Sequence, residues 1–221
     1  MNKLVALISH DAGGAELISL WAKKYKLNYI TVVDGPAIKV FNQNKLEIKQ
    51  FKLNKALQMC DWILCSTSWQ SDIEKEAIKK AKEIGKKSIS FLDHWVNYRE
   101  RYFFKGSLNL PDEIWVTDLY AKDLITKEFP KANIKLVENP YFESIKRQIE
   151  FIKSYKKISK KNNKKNILFL AENFSQYSIV NYGDKSCLEY DEYDVLEFFL
   201  KNFHFLNINI ESFKIRPHPS D

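Results

Sequence analysis

Apolar and polar positions alternate along the chain between two kinds of segment. Short, nearly continuous apolar runs predict strands buried on both faces of a parallel sheet, and they lie at residues 3–9, 29–33, 61–66, 87–92, 113–117 and 134–137, with a weaker run at about 46–51. Between the runs, apolar residues recur at helical spacing, which predicts helices at 15–25, about 36–42, 71–84 and 119–129. Strands that alternate with helices predict a doubly wound, Rossmann-like α/β domain.

The predicted helix at 71–84 carries the clearest boundary signals. Ser71 and Glu74 have the spacing of a capping box, in which the two side chains bond to the backbone of the helix N-terminus. Gly85 follows the last periodic residue, where glycine commonly ends a helix. We therefore expect Glu74 to act as a capping residue.

The pattern changes after residue 140. Residues 141–165 are basic, first helical in spacing and then polar without periodicity, and after them a strand, a helix and a second strand are predicted at 166–171, 191–203 and 212–215. We expect an N-terminal domain at 1–140, a basic helical linker at 141–165 and the start of a second Rossmann-like domain at 166–221. A βαβ fragment of that size leaves its sheet edges uncovered, so it should pack on the first domain or belong to a larger one.

The composition is that of an ordinary globular protein. Of the 221 residues, 45% are hydrophobic and 29% are charged, which excludes the disordered and fibrous classes. The three cysteines, Cys60, Cys65 and Cys187, cannot form a fully paired disulfide framework and lack zinc-ligand spacing, so we expect reduced thiols in a cytoplasm. The first apolar run is too short for a signal peptide or a membrane span.

The net charge of +7 comes from one segment. Residues 146–165 hold nine basic side chains and one acidic side chain, a balance of +8. A lysine-rich linker is the first interpretation, and contact with anionic lipid at the inner face of the membrane is the second. Nucleic acid is the least favoured partner, because the excess charge is not spread over one face of a domain.

Unusual polar residues follow the predicted strands. Ligands of open parallel sheets bind beyond the carboxyl ends of the strands, so these residues predict the binding site. In chain order they are His10, Asp11, Gly13, Gly14, Ser68, Trp69, Asp93, His94, Asn97, Arg99, Arg101, Asn139, Glu172, Asn173, Arg216 and His218.

The residues after the first strand allow more than one interpretation. Gly13 and Gly14 permit close approach of a sugar or phosphate to the backbone at a helix N-terminus; alternatively, they only let the helix fit against the sheet. The sequence is not GxGxxG, so a nicotinamide cofactor is disfavoured and we expect no cofactor. His10 or Asp11 is a candidate general base, unless Asp11 only caps the helix.

Asp93 and His94 form a second candidate site for proton transfer. A carboxylate beside an imidazole at a strand end can tune a proton acceptor, and Arg99 and Arg101 suit a clamp on a phosphate or carboxylate. The alternative is a loop with aromatic residues in the core and solvated arginines. A metal site formed by His10, Asp93 and His94 lacks support from their spacing, and we expect no metal.

Four motifs carry a resemblance to a known family: HDAGGAE at 10–16, DHWVNYRER at 93–101, ILFLAEN at 167–173 and RPHPSD at 216–221. In these motifs and in its layout the chain resembles nucleotide-sugar glycosyltransferases of the GT-B type, especially bacterial surface-polysaccharide and sialyltransferase-like enzymes with a His-Pro motif. The resemblance implies two Rossmann-like domains, with the acceptor in 1–140 and the nucleotide in 166–221. It further implies that Arg216 and His218 contact the donor phosphate and that Asp11 or His10 deprotonates the acceptor.

We therefore expect an inverting, metal-independent glycosyltransferase of surface-polysaccharide assembly, or the N-terminal portion of one. Its candidate catalytic residues are His10, Asp11, Asp93 and His94, and its expected partners are a nucleotide-sugar donor and a glycan acceptor. Two alternatives stay open at this point. One is a nucleotide-sugar epimerase or hydrolase on the same scaffold, and the other is a non-catalytic binding or assembly protein.

Overall fold

A computed structural model describes residues 3–68, 71–155 and 164–217. The chain divides into two compact units, Met1–Tyr155 and Lys156–Asp221. Within the described residues, no helix combines the length and the apolar character needed to cross a membrane.

The first unit alternates strands and helices. Its strands are β1 (Leu4–Ser9), β2 (Asn28–Val33), β3 (Trp62–Cys65), β4 (Lys87–Phe91), β5 (Phe103–Phe104), β6 (Ser107–Leu108), β7 (Glu113–Val116) and β8 (Ile134–Leu136). Its helices are α1 (Ala12–Lys24), α2 (Pro36–Gln43), α3 (Leu53–Met59), α4 (Ile73–Glu83), α5 (Tyr98–Tyr102), α6 (Leu119–Glu128) and α7 (Pro140–Tyr155). The predicted alternation of strands and helices is confirmed.

Six of the strands form one parallel sheet in the order β2-β1-β3-β4-β7-β8. After β1 the chain adds β2 on one side, and it then returns to add β3 on the other side. The connections after β1 and β3 therefore leave the sheet in opposite directions, which opens a crevice at the carboxyl edge between them. This crevice is the switch point of the sheet.

Both faces of the sheet are buried, which explains the continuous apolar runs of the sequence. On one face Ile8 and Ile63 pack with Leu57 of α3 and Ile78 of α4. On the other face Leu7, Leu64 and Phe91 pack against apolar residues of α1 and α2, including Ile18 and Phe41. Each face thus has its own apolar core.

Aromatic side chains fix α1 across the middle of the sheet. The ring of Trp21 lies 4.9 Å from that of Trp115 on β7 and 5.6 Å from that of Phe91 on β4, centroid to centroid. Such tilted and edge-on pairs stabilise beyond their buried area. The N-terminus of α1 is thereby held at the carboxyl edge, where β1 ends.

The predicted strand at about 46–51 is wrong. This segment pairs with β2 only through an isolated bridge between Gln50 and Thr31. Lys45 has a left-handed φ of +57°, which ends the preceding turn, and within the described residues the chain between it and α3 makes only that one bridge instead of a continuous strand pairing. The short helices α3 and α5 and the antiparallel pair β5–β6 are not among the predicted elements.

The second unit, in its described residues 164–217, contains one parallel strand pair. It consists of β9 (Lys165–Leu170), α8 (Phe174–Tyr182), α9 (Glu192–Lys201) and β10 (Ile210–Arg216), with two short 3₁₀ turns. The rings of Phe169, Phe199, Phe203 and Phe213 pack together on one side of the strands. A complete Rossmann-like second domain stays a prediction.

Candidate functional site

The ends of β1, β3 and β4 bring three of the predicted polar segments to one edge of the sheet. His10 and Asp11 follow β1, Ser68 comes after β3, and Asp93 and His94 follow β4. Because parallel strands present their carboxyl ends on the same side, these segments surround the switch point.

A buried carboxylate joins the first two segments. Glu74 is 2% exposed, and it accepts hydrogen bonds from the backbone N–H of His10 (2.9 Å), from Ser66 Oγ (3.0 Å) and from Ser68 Oγ (2.5 Å). The hydroxyl hydrogen of Ser66 is directed to Glu74, so Ser9 Oγ donates to Ser66 Oγ at 2.7 Å. Burial raises the pKa of Glu74, and the three hydrogen bonds oppose that rise.

The predicted capping box is therefore wrong. Asp72, not Ser71, holds the N-cap position of α4, and Ser71 Oγ accepts a hydrogen bond from the backbone N–H of Ile73 at 3.2 Å. Glu74 turns to the sheet edge because three donors meet it there in a desolvated setting, where each hydrogen bond is stronger than at the surface. Sequence reasoning missed Glu74, Ser9 and Ser66 as site residues, although serines at two neighbouring strand ends were a signal.

A second set of hydrogen bonds runs from α5 to the end of β4. Arg101 is 5% exposed, and its Nη1 donates to the carbonyl oxygen (3.3 Å) and to Oγ1 (3.1 Å) of Thr67. Its Nε donates to the carbonyl oxygen of Val96 at 3.2 Å. Since a guanidinium only donates, the Thr67 hydroxyl hydrogen is left for Asp93 Oδ1 at 3.2 Å. The structure thus places Arg101 in the interior, committed to groups of its own chain.

Asp93 presents its second carboxylate oxygen to His94 and Gly13. The Asp93 side chain is 7% exposed, and its Oδ2 lies 3.4 Å from Nε2 of the half-exposed His94. Within the described residues Oδ2 accepts no hydrogen bond. A Cβ on Gly13 would lie 2.5 Å from it. Burial raises the pKa of Asp93, and the nearby His94 and Arg101 oppose that rise.

His10 and Asp11 form a closer pair. His10 Nδ1 and Asp11 Oδ1 are 2.7 Å apart, and the side chains are 17% and 25% exposed. The other side of the ring packs against Gly35, whose φ is +51° and where a Cβ would lie 2.5 Å from His10 Nε2. Asp11 occupies the N-cap position of α1, but its side chain makes no capping hydrogen bond. Within the described residues, Asp11 therefore does not cap α1 through a side-chain hydrogen bond.

The other predicted residues of the first unit have more local roles or lie further out. Gly14 is buried where a Cβ would lie 2.3 Å from Cβ of Ser66, so it lets α1 approach the end of β3. Asn97 adopts a left-handed φ of +59° immediately before α5, and the exposed Arg99 lies 3.8 Å from Glu128. Asn139 caps α7 by accepting hydrogen bonds from the first backbone N–H groups of that helix. Trp69 lies outside the described residues.

In the second unit, the predicted residues follow the two strands. Glu172 and Asn173 come after β9, and Arg216 ends β10, where it pairs with Leu170. Asn173 Oδ1 accepts a hydrogen bond from the backbone N–H of Gln176 at 3.1 Å and so caps α8. Glu172 and Arg216 are exposed. His218 lies outside the described residues.

No family model, curated protein or solved structure matches this chain. In the described part of the chain no three His, Cys, Asp or Glu side chains are grouped to hold a metal ion, and this includes His10, Asp93 and His94. What the first unit offers is two carboxylate–imidazole pairs at one crevice, an arrangement suited to proton transfer.

Proposed function

We propose that the protein is an inverting glycosyltransferase that moves a sugar from a nucleotide-sugar donor to a glycan acceptor. The observation that carries the proposal is the pair of carboxylate–imidazole contacts, His10–Asp11 and His94–Asp93, at the carboxyl edge of one sheet. An acceptor hydroxyl must lose its proton as it attacks, and a histidine held by a carboxylate is a suitable base.

The reaction needs one base and one supported leaving group. The oxygen of the acceptor hydroxyl forms a bond to the anomeric carbon of the donor, and its proton passes to a histidine of the first unit. The bond from that carbon to the phosphate oxygen breaks, and its electron pair leaves with the nucleotide. Because the acceptor attacks directly, the anomeric configuration inverts and no covalent enzyme intermediate forms.

The proposal assigns the donor to the second unit. What supports this is the resemblance of its motifs to those of GT-B enzymes and the position of Arg216 at the end of β10, beside the end of β9. Arg216 is exposed, and a guanidinium suits a phosphate ligand. The proposal thus includes a Rossmann-like second domain, with Arg216 and His218 at the donor phosphate.

The proposal also places the reaction in the cytoplasm. The basic segment 146–165 would then bring the enzyme to anionic lipid at the inner face of the membrane. Flotation of the full chain with vesicles containing anionic phosphatidylglycerol tests this part. We expect binding that weakens as salt rises, and binding that does not depend on salt would contradict it.

The central experiment is a transfer assay with the full chain. Sugars activated by UDP, GDP, CDP or CMP are incubated with and without a panel of oligosaccharide acceptors, and the products are identified by mass spectrometry. We expect transfer from one donor class, and an Asp93→Asn variant should lose about 100-fold or more in rate. The matched control is Asp123→Asn, whose carboxylate is exposed and pairs with Lys127 on the same helix.

The other outcomes separate the alternatives. Conversion or hydrolysis of the donor without an acceptor would indicate an epimerase or hydrolase. If no nucleotide stabilises the chain against heat and no product forms, the protein is a binding or assembly protein and the proposal is wrong.

A further inference from the structure

The two carboxylate–imidazole pairs differ in what their rings are able to contact. In His10, Nδ1 is bonded to Asp11 and Nε2 packs against Gly35, and only 17% of the side chain is exposed. In His94, Nε2 faces Asp93 and half of the side chain is exposed. The ring of His94 is therefore the more exposed of the two, and its Nδ1 is the nitrogen that does not face Asp93.

We infer that His94 is the base of this site and that Arg101 and Thr67 are positioning residues that orient Asp93 towards it. The inference rests on the proposed function, because it names the residue that takes the acceptor proton. It departs from the resemblance, which implies His10 or Asp11 for that role.

The direction of the hydrogen bonds supports this inference. Arg101 can only donate, so its bond to Thr67 Oγ1 leaves the Thr67 hydroxyl hydrogen for Asp93 Oδ1. With Oδ1 engaged, Oδ2 is the oxygen turned to His94 Nε2. An ionised Asp93 then favours the tautomer with hydrogen on Nε2, so the lone pair lies on Nδ1, where it can accept a proton.

Charged and polar groups surround Asp93 on several sides. Arg101 and the buried Tyr102 approach Asp93 from α5. His94 approaches it from the same loop, and the N-terminus of α1 approaches it at Gly13. Arg101 and the positive end of the α1 dipole stabilise the ionised carboxylate, while burial opposes ionisation. The 3.4 Å contact between His94 and Asp93 is longer than a hydrogen bond, as is common for catalytic pairs without substrate.

We call the hydrogen bonds from Arg101 to Thr67 and from Thr67 to Asp93 the relay. The first test measures the relay without relying on activity. The carboxyl carbon of Asp93 is titrated by NMR in the full chain and in the isosteric Thr67→Val and the rescuing Thr67→Ser variants. Loss of the donated hydrogen bond should raise the pKa of Asp93 by about one pH unit in Thr67→Val, and Thr67→Ser should return it. A folded Thr67→Val chain whose Asp93 titrates as in the unaltered chain would overturn the relay.

The second test separates the two histidines. Diethyl pyrocarbonate acylates accessible imidazole nitrogens, and mass spectrometry reports the rate at each residue. We expect His94 to be modified faster than His10. In the transfer assay, His94→Gln should lose about 100-fold or more in rate, and His10→Gln should lose less. Faster modification of His10, or the greater rate loss in His10→Gln, would overturn the assignment of His94.

The outcomes also separate this inference from the proposed function. If no donor is transferred, the proposed function fails, while the Asp93 titration and the modification rates still decide the relay and the accessibility of His94. If transfer occurs but Thr67→Val leaves both the Asp93 titration and the rate unchanged, the proposed function stands and the relay is wrong.

Discussion

Gly13 and Asp93 meet so closely that a Cβ on Gly13 would lie 2.5 Å from Oδ2 of Asp93. The neighbouring glycine makes a different contact, since a Cβ on Gly14 would lie 2.3 Å from Cβ of Ser66. A carboxylate oxygen at the end of a side chain can move aside. The Cβ of Ser66 is fixed to the backbone at the end of β3, so it can move only if the strand or α1 moves.

The two glycines therefore predict a matched pair of variants. In Gly13→Ala, the higher helix propensity of alanine offsets the cost of moving Asp93, so stability should change by less than about 1 kcal/mol while the Asp93 carboxylate is displaced. Gly14→Ala should destabilise the chain by about 2 kcal/mol through overpacking. Urea unfolding measures both changes, and the Asp93 carboxyl resonance reports the displacement. Equal destabilisation by the two variants would contradict this difference.

Replacing Glu74, which the sequence suggests as a helix-capping residue, is predicted to lower the stability of the chain strongly. Glu74→Ala leaves the donors of His10, Ser66 and Ser68 without their common acceptor, and it should cost about 3 kcal/mol. Glu83→Ala, at the exposed end of the same helix, should stay within about 0.5 kcal/mol. Thermal and urea unfolding test both. A Glu74→Ala chain as stable as Glu83→Ala would show that the carboxylate does not hold the sheet edge.

The ion pairs of Glu113 predict how the free energy of unfolding depends on pH. Burial raises the pKa of its carboxyl, but contacts with Lys87 (2.7 Å) and Lys135 (3.0 Å) and a hydrogen bond from Trp115 lower it to about 2. The folded pKa is lower than the ordinary value of 4.5, so the stabilisation is complete above that pH and is lost as the pH falls towards 2.

The stabilisation should be about 2 kcal/mol. Both lysines are half exposed, so solvent screens their attraction to Glu113 and keeps the effect below what the full pKa shift would give. Urea unfolding at a series of pH values checks it. Glu113→Gln should be less stable than the unaltered chain at pH 7, and the difference should shrink towards pH 2. The exposed Glu47 gives the control, Glu47→Gln, for which no such convergence is expected.

Asn139 and Asn173 predict a capping effect in addition to any contact with ligand. Each side chain accepts backbone hydrogen bonds at a helix N-terminus, so alanine at either position should cost about 1 kcal/mol. Aspartate keeps the acceptor oxygen and should retain most of the stability. Unfolding of the paired Ala and Asp variants tests this. If aspartate destabilises as much as alanine, the oxygen does not act as a cap.

The alternation of strands and helices could be predicted because it follows from the spacing of apolar residues within each segment. The sheet strands are buried on both faces, so their apolar runs are unbroken, and α4 was predicted to within about two residues at each end. The segment at 46–51 misled the prediction because it lies beside β2 and forms only an isolated bridge with it. Such an extended segment, which lacks a full set of strand partners, shows a weak apolar pattern that resembles that of a true strand.

The partners of the site residues could not be predicted, because they are distant in sequence. Thr67 lies 34 positions from Arg101, and Glu74 lies 64 positions from His10. A sequence shows that arginine follows a strand, but it does not show whether the guanidinium faces solvent or the interior. For that reason the sequence favours a ligand clamp at Arg101, whereas the structure commits the guanidinium to Thr67 and Val96. The grouping of polar residues at strand ends was accessible to prediction, whereas the direction of each hydrogen bond was not.

The bonds of Glu74 also determine how the edge of the sheet can open. One carboxylate on α4 holds the backbone of His10 after β1 and the hydroxyls of Ser66 and Ser68 after β3, so these two turns separate from the sheet only together. The amide of His10 should therefore exchange its hydrogen with solvent as slowly as the strand amides beside it. The loop that carries Asp93 and His94 has no bond to Glu74 within the described residues. That loop is joined to the turn after β3 by a different bond, the one from Thr67 to Asp93, so the Asp93 carboxylate and that turn keep their places relative to each other.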